Sequence, residues 1–306
     1  VVLVGPGAVV MTALLAHLVD DAGLFEPAAL DMAAAVARHR RDLASGQPML
    51  THRFVCPASR VPELLGHLDA DDRFAVLVIA DVPALADAVA ALHHSPGAEL
   101  VGIESTLTPA QGGWRGALDA LIDATGGGPA SVPLFVEPAT VADAAGVIAA
   151  LAECRAEDGA PLGVKLRCGG TGAELFPTPD ALAAALVAAA GAGVPAKATA
   201  GLHHAIRQTD PATGITHHGF LNLVLAADAA RSGSAAETAA ILADEDRDRL
   251  RSTARALHDP VPARSVLTCF GSCDTETPML EAVRLGLAPT RSDCGPGTFG
   301  LGGAQA

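Results

Sequence analysis

Residues 163–170 read GVKLRCGG and residues 194–204 read VPAKATAGLHH, two short apolar runs that each enclose a lysine and end in small residues. A lysine buried in a strand is costly unless it meets an opposite charge or opens into a solvated cavity. Side chains alternate along a strand, so Lys165 and Arg167 share one face and Val164 and Leu166 the other. The apolar pair suits packing against helices; the cationic pair suits the inside of a barrel near its mouth. Lys197 and Thr199 share a face in the same way, opposite Ala196 and Ala198. Between the two runs lies an Ala-rich, helix-length segment opened by Thr178-Pro179-Asp180, a cap residue followed by proline at the first helical position. Strand, helix, strand in this order is one unit of a parallel sheet.

Working outward, the unit recurs. Candidate strands lie at 52–56, 74–80, 100–104, 132–137, 163–167, 194–199, 220–225 and 265–270. Most are separated by Ala/Leu-rich segments with openings such as Ser59-Arg60-Val61-Pro62 and Asp81-Val82-Pro83. The pattern predicts an α/β fold, a (β/α)8 TIM barrel over residues 51–290. The stretch 220–225 reads equally well as the start of a helix that continues through Arg231. Helical periodicity at 12–19 and 27–41 predicts an N-terminal helical extension, residues 1–50, packed on the barrel. Residues 291–306 read as a Gly-rich flexible tail. Met11 has the look of a natural start, so whether residues 1–10 are native is open. A doubly wound sheet would carry a Gly-rich dinucleotide turn after its first strand, where this chain has Pro57-Ala58-Ser59.

Of the 306 residues, 50% are hydrophobic and 18% charged, ample for a large core. Aromatic residues make up only 3% and the formal net charge is −14, which argues against a nucleic-acid partner. A small anionic substrate in a local cationic pocket remains compatible with that charge. The apolar first ten residues lack a basic flank and are too short to span a membrane, so no membrane partner is expected. The 6 cysteines form no C-x-x-C pair and read as reduced thiols of a cytoplasmic protein. Low charge and Ala-rich helices permit a homo-oligomer.

Catalytic groups of such barrels project from the C-terminal ends of strands. Those ends carry Arg53 and Cys56, Asp81, Glu104, Glu137, Lys165 with Arg167, Lys197 with Thr199, His203 with His204, His217 with His218 and Asn222, and Ser272 with Cys273. Glu104 and Glu137 each end an apolar strand, in GIES and FVEP. Plainer readings stand beside each of these. A strand-borne Lys or Arg can be a structural ion pair with Glu104 or Glu137, His93-His94 reads as a solvated loop pair, and Cys168 and Cys273 read as small packing residues.

The run VPAKATAGLHH resembles the lysine strand of class I aldolases of the deoxyribose-phosphate aldolase type. That family has a Lys-x-x-x-Gly-Gly pattern and two lysines on adjacent strands. Here Ala200-Gly201 stands for the Gly-Gly, and the family's later Gly-Ser phosphate turn is not evident. The resemblance covers residues 163–204 and implies a Schiff-base lyase without a cofactor. Lys197, counted onto the sixth strand, would be the nucleophile, and Lys165 the neighbouring cation that lowers its pKa. Glu137 or Glu104 would shuttle protons and Arg167 would grip a carboxylate or phosphate. Thr199, His203, His204, His218, Asn222 and Ser272 would contact substrate. More widely, LLAHLVDDAGLFEP, RFVCPASRVPEL, KLRCGG, KATAGLHH, HHGFLN and CFGSC are similar to a family of uncharacterised bacterial proteins expected to be (β/α)8 barrels, a likeness that carries no activity.

Three other readings stay open. A metal-dependent hydrolase or lyase would hold Zn, Mn or Fe through Glu104, Glu137, His203 and His218, although no H-x-H or H-E-x-x-H signature is present. A phosphoribosyl or phosphate-ligand transferase would use Lys165, Arg167, Lys197 and the Gly169-Gly170 turn as an anion cradle, with a second glycine turn at Phe270-Gly271-Ser272. A noncatalytic binding barrel would have its carboxylates neutralised by the lysines and no open pocket.

Overall fold

A computed structural model of the chain describes residues 13–80, 84–124 and 132–288. The proposed extension at 1–10, the start at Met11, the helix opening at Asp81 and the tail at 291–306 lie outside the described residues. Eight parallel strands close into a barrel: β1 (Val19–Asp21), β2 (Leu50–Pro57), β3 (Phe74–Ile79), β4 (Ala98–Leu107), β5 (Leu134–Pro138), β6 (Leu162–Arg167), β7 (Ala196–Thr199) and β10 (Leu267–Ser272). The strands β8 (Gln208–Thr209) and β9 (Thr216–His217) form a small antiparallel hairpin in the β7–β10 connection. β1 closes the ring by pairing with β10 on one side and β2 on the other.

Two expectations are corrected. The stretch 220–225 is not a strand but the first half of the helix Phe220–Ala230, with nearly every residue buried. It is enclosed by the barrel and by the helices Ala235–Ala243 and Val261–Val266, so its apolar residues leave no polar face to reveal a helical period. The missing eighth strand is Val19–Asp21, within the segment assigned to a helical extension, so the barrel begins well before residue 51. Its two acids, Asp20 and Asp21, are both buried. Asp20 meets Lys197 and Arg53, while Asp21 meets Arg38 and His39, and these partners are what admit an acidic pair into a barrel strand.

The helix Pro179–Ala192 is capped as its sequence predicts. Thr178 Oγ1 accepts from the Ala181 amide at 3.2 Å, proline stands in the first turn, and Gly193 ends it with φ 62°. Leu182, Ala183, Leu186 and Ala189 bury its inner face against the sheet layer. Residues Ala173–Ala192 are long and apolar enough to cross a membrane by length and composition. On the strand side, Val164 and Leu166 are buried toward the helices, leaving Lys165 and Arg167 to the interior.

Candidate active site

Cα register places Lys165 directly beside Lys197 on β6 and β7, with Arg167 beside Thr199 two residues nearer the mouth. Glu104 of β4 reaches across to both lysines. Its Oε2 lies 2.7 Å from Lys165 Nζ, and its Oε1 faces Lys197 Nζ as an ion pair without hydrogen-bond alignment. Glu137 of β5 completes the bridge, with Oε2 3.0 Å from Lys165 Nζ and Oε1 accepting from Arg167 Nε at 2.7 Å. On the far side Lys197 donates to Asp20, which also accepts from Arg53 Nε at 2.7 Å and from Thr51 Oγ1 at 2.5 Å. The result is a chain of alternating charge running Arg53, Asp20, Lys197, Glu104, Lys165, Glu137, Arg167. Cys269, in register with Lys197, packs beside Asp20 at 3.5 Å.

These groups perturb one another in a definite direction. Burial opposes ionisation of Asp20, but Lys197 and Arg53 outweigh it and hold the carboxyl at about 2. Glu104 is likewise fully enclosed and would be raised by burial, yet Lys197 and Lys165 pull it below its usual value. Burial also disfavours the charged form of Lys197, but Asp20 and Glu104 overcome it and raise the pKa. The sequence alone predicts a Lys197 poised toward neutrality; the two carboxylates reverse that expectation. Nor is it on the sixth strand. With β1 in place Lys197 belongs to the seventh and Lys165 to the sixth.

Above the lysines opens a cavity of about 1070 Å³. Lys165, Lys197, Glu104, Glu137, Arg167, Thr199, His203 and His204 all line it. Its walls come from the loops after the strands, including Phe25, Phe176, and Gln208, Asp210 and His217 of the hairpin. Phe176 and His217 meet edge to face at 4.7 Å, joining the loop after β6 to that hairpin. The loops after β6 and β7 touch through backbone: a Cβ on Gly169 would come within 2.8 Å of Gly201 Cα. Ala200 and Gly201 both take positive φ, 61° and 70°, so Ala200 keeps a left-handed backbone despite its methyl group.

His203 is half-buried, with Nδ1 3.5 Å from Ser272 Oγ and 3.9 Å from Cys273 Sγ; burial lowers its pKa. His204 Nδ1 is held by Glu281 Oε1 at 2.8 Å, and Glu281 Oε2 accepts from the Ala205 amide at 2.6 Å.

Three proposed substrate contacts do not face the cavity. His218 Nε2 donates to Pro177 O at 2.8 Å while Nδ1 faces Arg207 Nη1 at 3.3 Å, and burial depresses its pKa to about 4. Asn222 accepts from the Arg207 amide and donates to Ile241 O and Asp244 O, pinning the helix to the hairpin loop. Ser272 Oγ donates to Asp274 O at 2.6 Å, inside the turn after β10. The metal set Glu104, Glu137, His203 and His218 is not brought together, since both ring nitrogens of His218 are engaged and both carboxylates face ammonium groups. Among the described residues no three His, Cys, Asp or Glu side chains converge to hold a metal ion. Gly271 sits in β10, paired with Asp20 and Thr199, and forms no phosphate turn. The carboxylates are neutralised, as a binding barrel would require, but the cavity above them is open.

Asp20, Thr51 and Cys269 are members of the site that strand-end position does not single out. A signal for Asp20 is present all the same: LVDD at 18–21 has the same form as GIES and FVEP, an apolar run ended by a carboxylate. No family model matches this chain and no curated protein matches it, so the fold and the geometry of its mouth carry the functional reading.

Proposed function

We propose that the protein is a lyase that forms an imine between Lys165 and a small anionic carbonyl substrate, with Lys197 as the fixed cation beside it. The fold is one common among enzymes, and the mouth of the barrel is where such enzymes work. The single observation that carries the reading is Lys165 Nζ between two carboxylates at the floor of an open cavity, with a second ammonium on the adjacent strand. An amine must lose a proton before it attacks a carbonyl, and Glu104 or Glu137 stands within reach to take it. The same pair of carboxylates that stabilises an ammonium would stabilise the iminium that replaces it.

Burial favours Lys165 over Lys197 as the nucleophile, reversing the roles that the aldolase likeness implies. The Lys197 side chain keeps 1% of its surface exposed and is clamped by Asp20 and Glu104, whereas that of Lys165, at the same level of the barrel, keeps 6%. Arg167, 43% exposed, offers the substrate's carboxylate or phosphate a planar fork. Glu137 holds its Nε and Nη1 donates to Gly169 O at 3.5 Å, leaving Nη2 as the donor without a partner among the described residues.

Borohydride reduction in the presence of pyruvate, acetaldehyde or hydroxyacetone tests the proposal. Peptide mapping is expected to find the reduced adduct on Lys165; absence of any lysine adduct with all three carbonyls would overturn it.

A further inference from the structure

An imine is useful only if a proton can then leave or join the carbon next to it, and the carboxylates nearest Lys165 are already committed to its nitrogen and to the neighbouring cations. Both oxygens of Glu104 face ammonium groups, and both oxygens of Glu137 are taken by Lys165 and Arg167. Asp274 Oδ1 accepts from the amides of Glu276 and Thr277, and hydrogen bonds from these two residues outweigh burial and hold the carboxyl below its ordinary pKa, which makes it a weak base. His203 is drawn toward Ser272 and Cys273. His204 differs from all of these. One of its ring nitrogens is anchored by a carboxylate, and Nε2 has no partner among the described residues. The anchor is itself fixed, because Glu281 spends its second oxygen on the Ala205 amide. The backbone of His204 is held as well, its carbonyl accepting from the Phe220 amide at 2.9 Å. A carboxylate that locks one imidazole nitrogen sets the tautomer and aims the other, the arrangement a general base requires.

We propose that His204 is the acid–base residue of this cavity and Glu281 its positioning residue, a proposal that rests on imine formation at Lys165. In the step assigned to it, His204 Nε2 takes a proton from the substrate carbon adjacent to the iminium. The C–H electron pair becomes the C=C bond of an enamine, and the C=N electron pair returns to the Lys165 nitrogen. The reverse step gives the proton back, and in D2O it gives back deuterium. No oxidant or further reactant enters.

The experiment follows two readouts on the same carbonyls, pyruvate, acetaldehyde and hydroxyacetone: borohydride trapping, which reads the imine, and exchange of the α-hydrogens for deuterium by proton NMR, which reads the proton transfer. His204→Ala is expected to keep the trapped adduct on Lys165 and to lose exchange by about 100-fold. Added imidazole should restore exchange in that variant, which a merely structural role would not allow. Glu281→Ala should slow exchange, and Glu281→Gln, which retains an acceptor for the ring, should recover most of it. Trapping with undiminished exchange in His204→Ala would overturn this inference and leave the imine reading intact. No trapping in the unaltered protein would overturn the imine reading, and this inference with it.

Discussion

Lys197 is buried between carboxylates from two other strands. Among the described residues it is the sole ammonium beside Asp20, and it shares Glu104 with Lys165. Lys197→Met should therefore lower unfolding free energy, on the order of 3–5 kcal/mol, because it strands buried carboxylates. Urea titration measures this, and an unchanged midpoint would contradict the ion-pair account. His218 governs a different window. Its pKa falls from an ordinary 6.5 to about 4 in the fold, so between those values the unfolded chain binds more protons than the folded one. Stability should thus decline as the pH drops from 6.5 to 4, with His218 contributing about 3 kcal/mol. His218→Asn should flatten that slope in denaturant titrations taken across the range. Ala200 offers a gain instead, since at φ 61° it occupies a conformation that disfavours a Cβ. Ala200→Gly should stabilise by up to about 1 kcal/mol, read as a rise in Tm.

Among the elements, β1 is the shortest barrel strand and depends on its surroundings. Arg264, at the end of the helix Val261–Val266, donates to the carbonyls of Leu14, Ala16 and His17 and also to Leu267 and Thr268, strapping the entry to β1 onto β10. Arg264→Ala should cost about 3 kcal/mol, with Lys recovering only part because one ammonium cannot span that fork. Faster amide exchange confined to Val19–Asp21 would locate the effect in the ring closure. The same strand marks where sequence reading runs out. Runs such as 74–80 and 163–167 are legible because they are short and bounded by turn signals, where a helix would run on for about ten residues or more. LVDD is not, since its acids become acceptable only through Lys197, Arg53, Arg38 and His39, partners from distant parts of the chain. Helix Phe220–Ala230 is ambiguous for the complementary reason, being apolar on every side. Of the site, Lys165, Lys197, Glu104, Glu137 and Arg167 are legible from alternation and strand-end position. His218, Asn222 and Ser272 are misassigned by the same rule because proximity to a strand end does not reveal which way a loop side chain turns.

Across the whole molecule, the alternating charges from Arg53 to Arg167 link β2, β1, β7, β4, β6 and β5, so the ring and the floor of its cavity share one set of interactions. Asp20 contributes most clearly at low pH. Its carboxyl sits at about 2 against an ordinary 3.8, so its stabilisation is present above 3.8 and is lost as the pH falls toward 2. Acid unfolding followed by circular dichroism should accordingly steepen below pH 3.8, and Asp20→Asn should remove that component. The most direct measurement is intact-mass analysis after borohydride reduction with pyruvate, acetaldehyde or hydroxyacetone, run in parallel on the unaltered protein and on Lys165→Met. The account predicts one reduced adduct on the unaltered protein and none on Lys165→Met. An adduct that persists in Lys165→Met, or none on either protein, would contradict it.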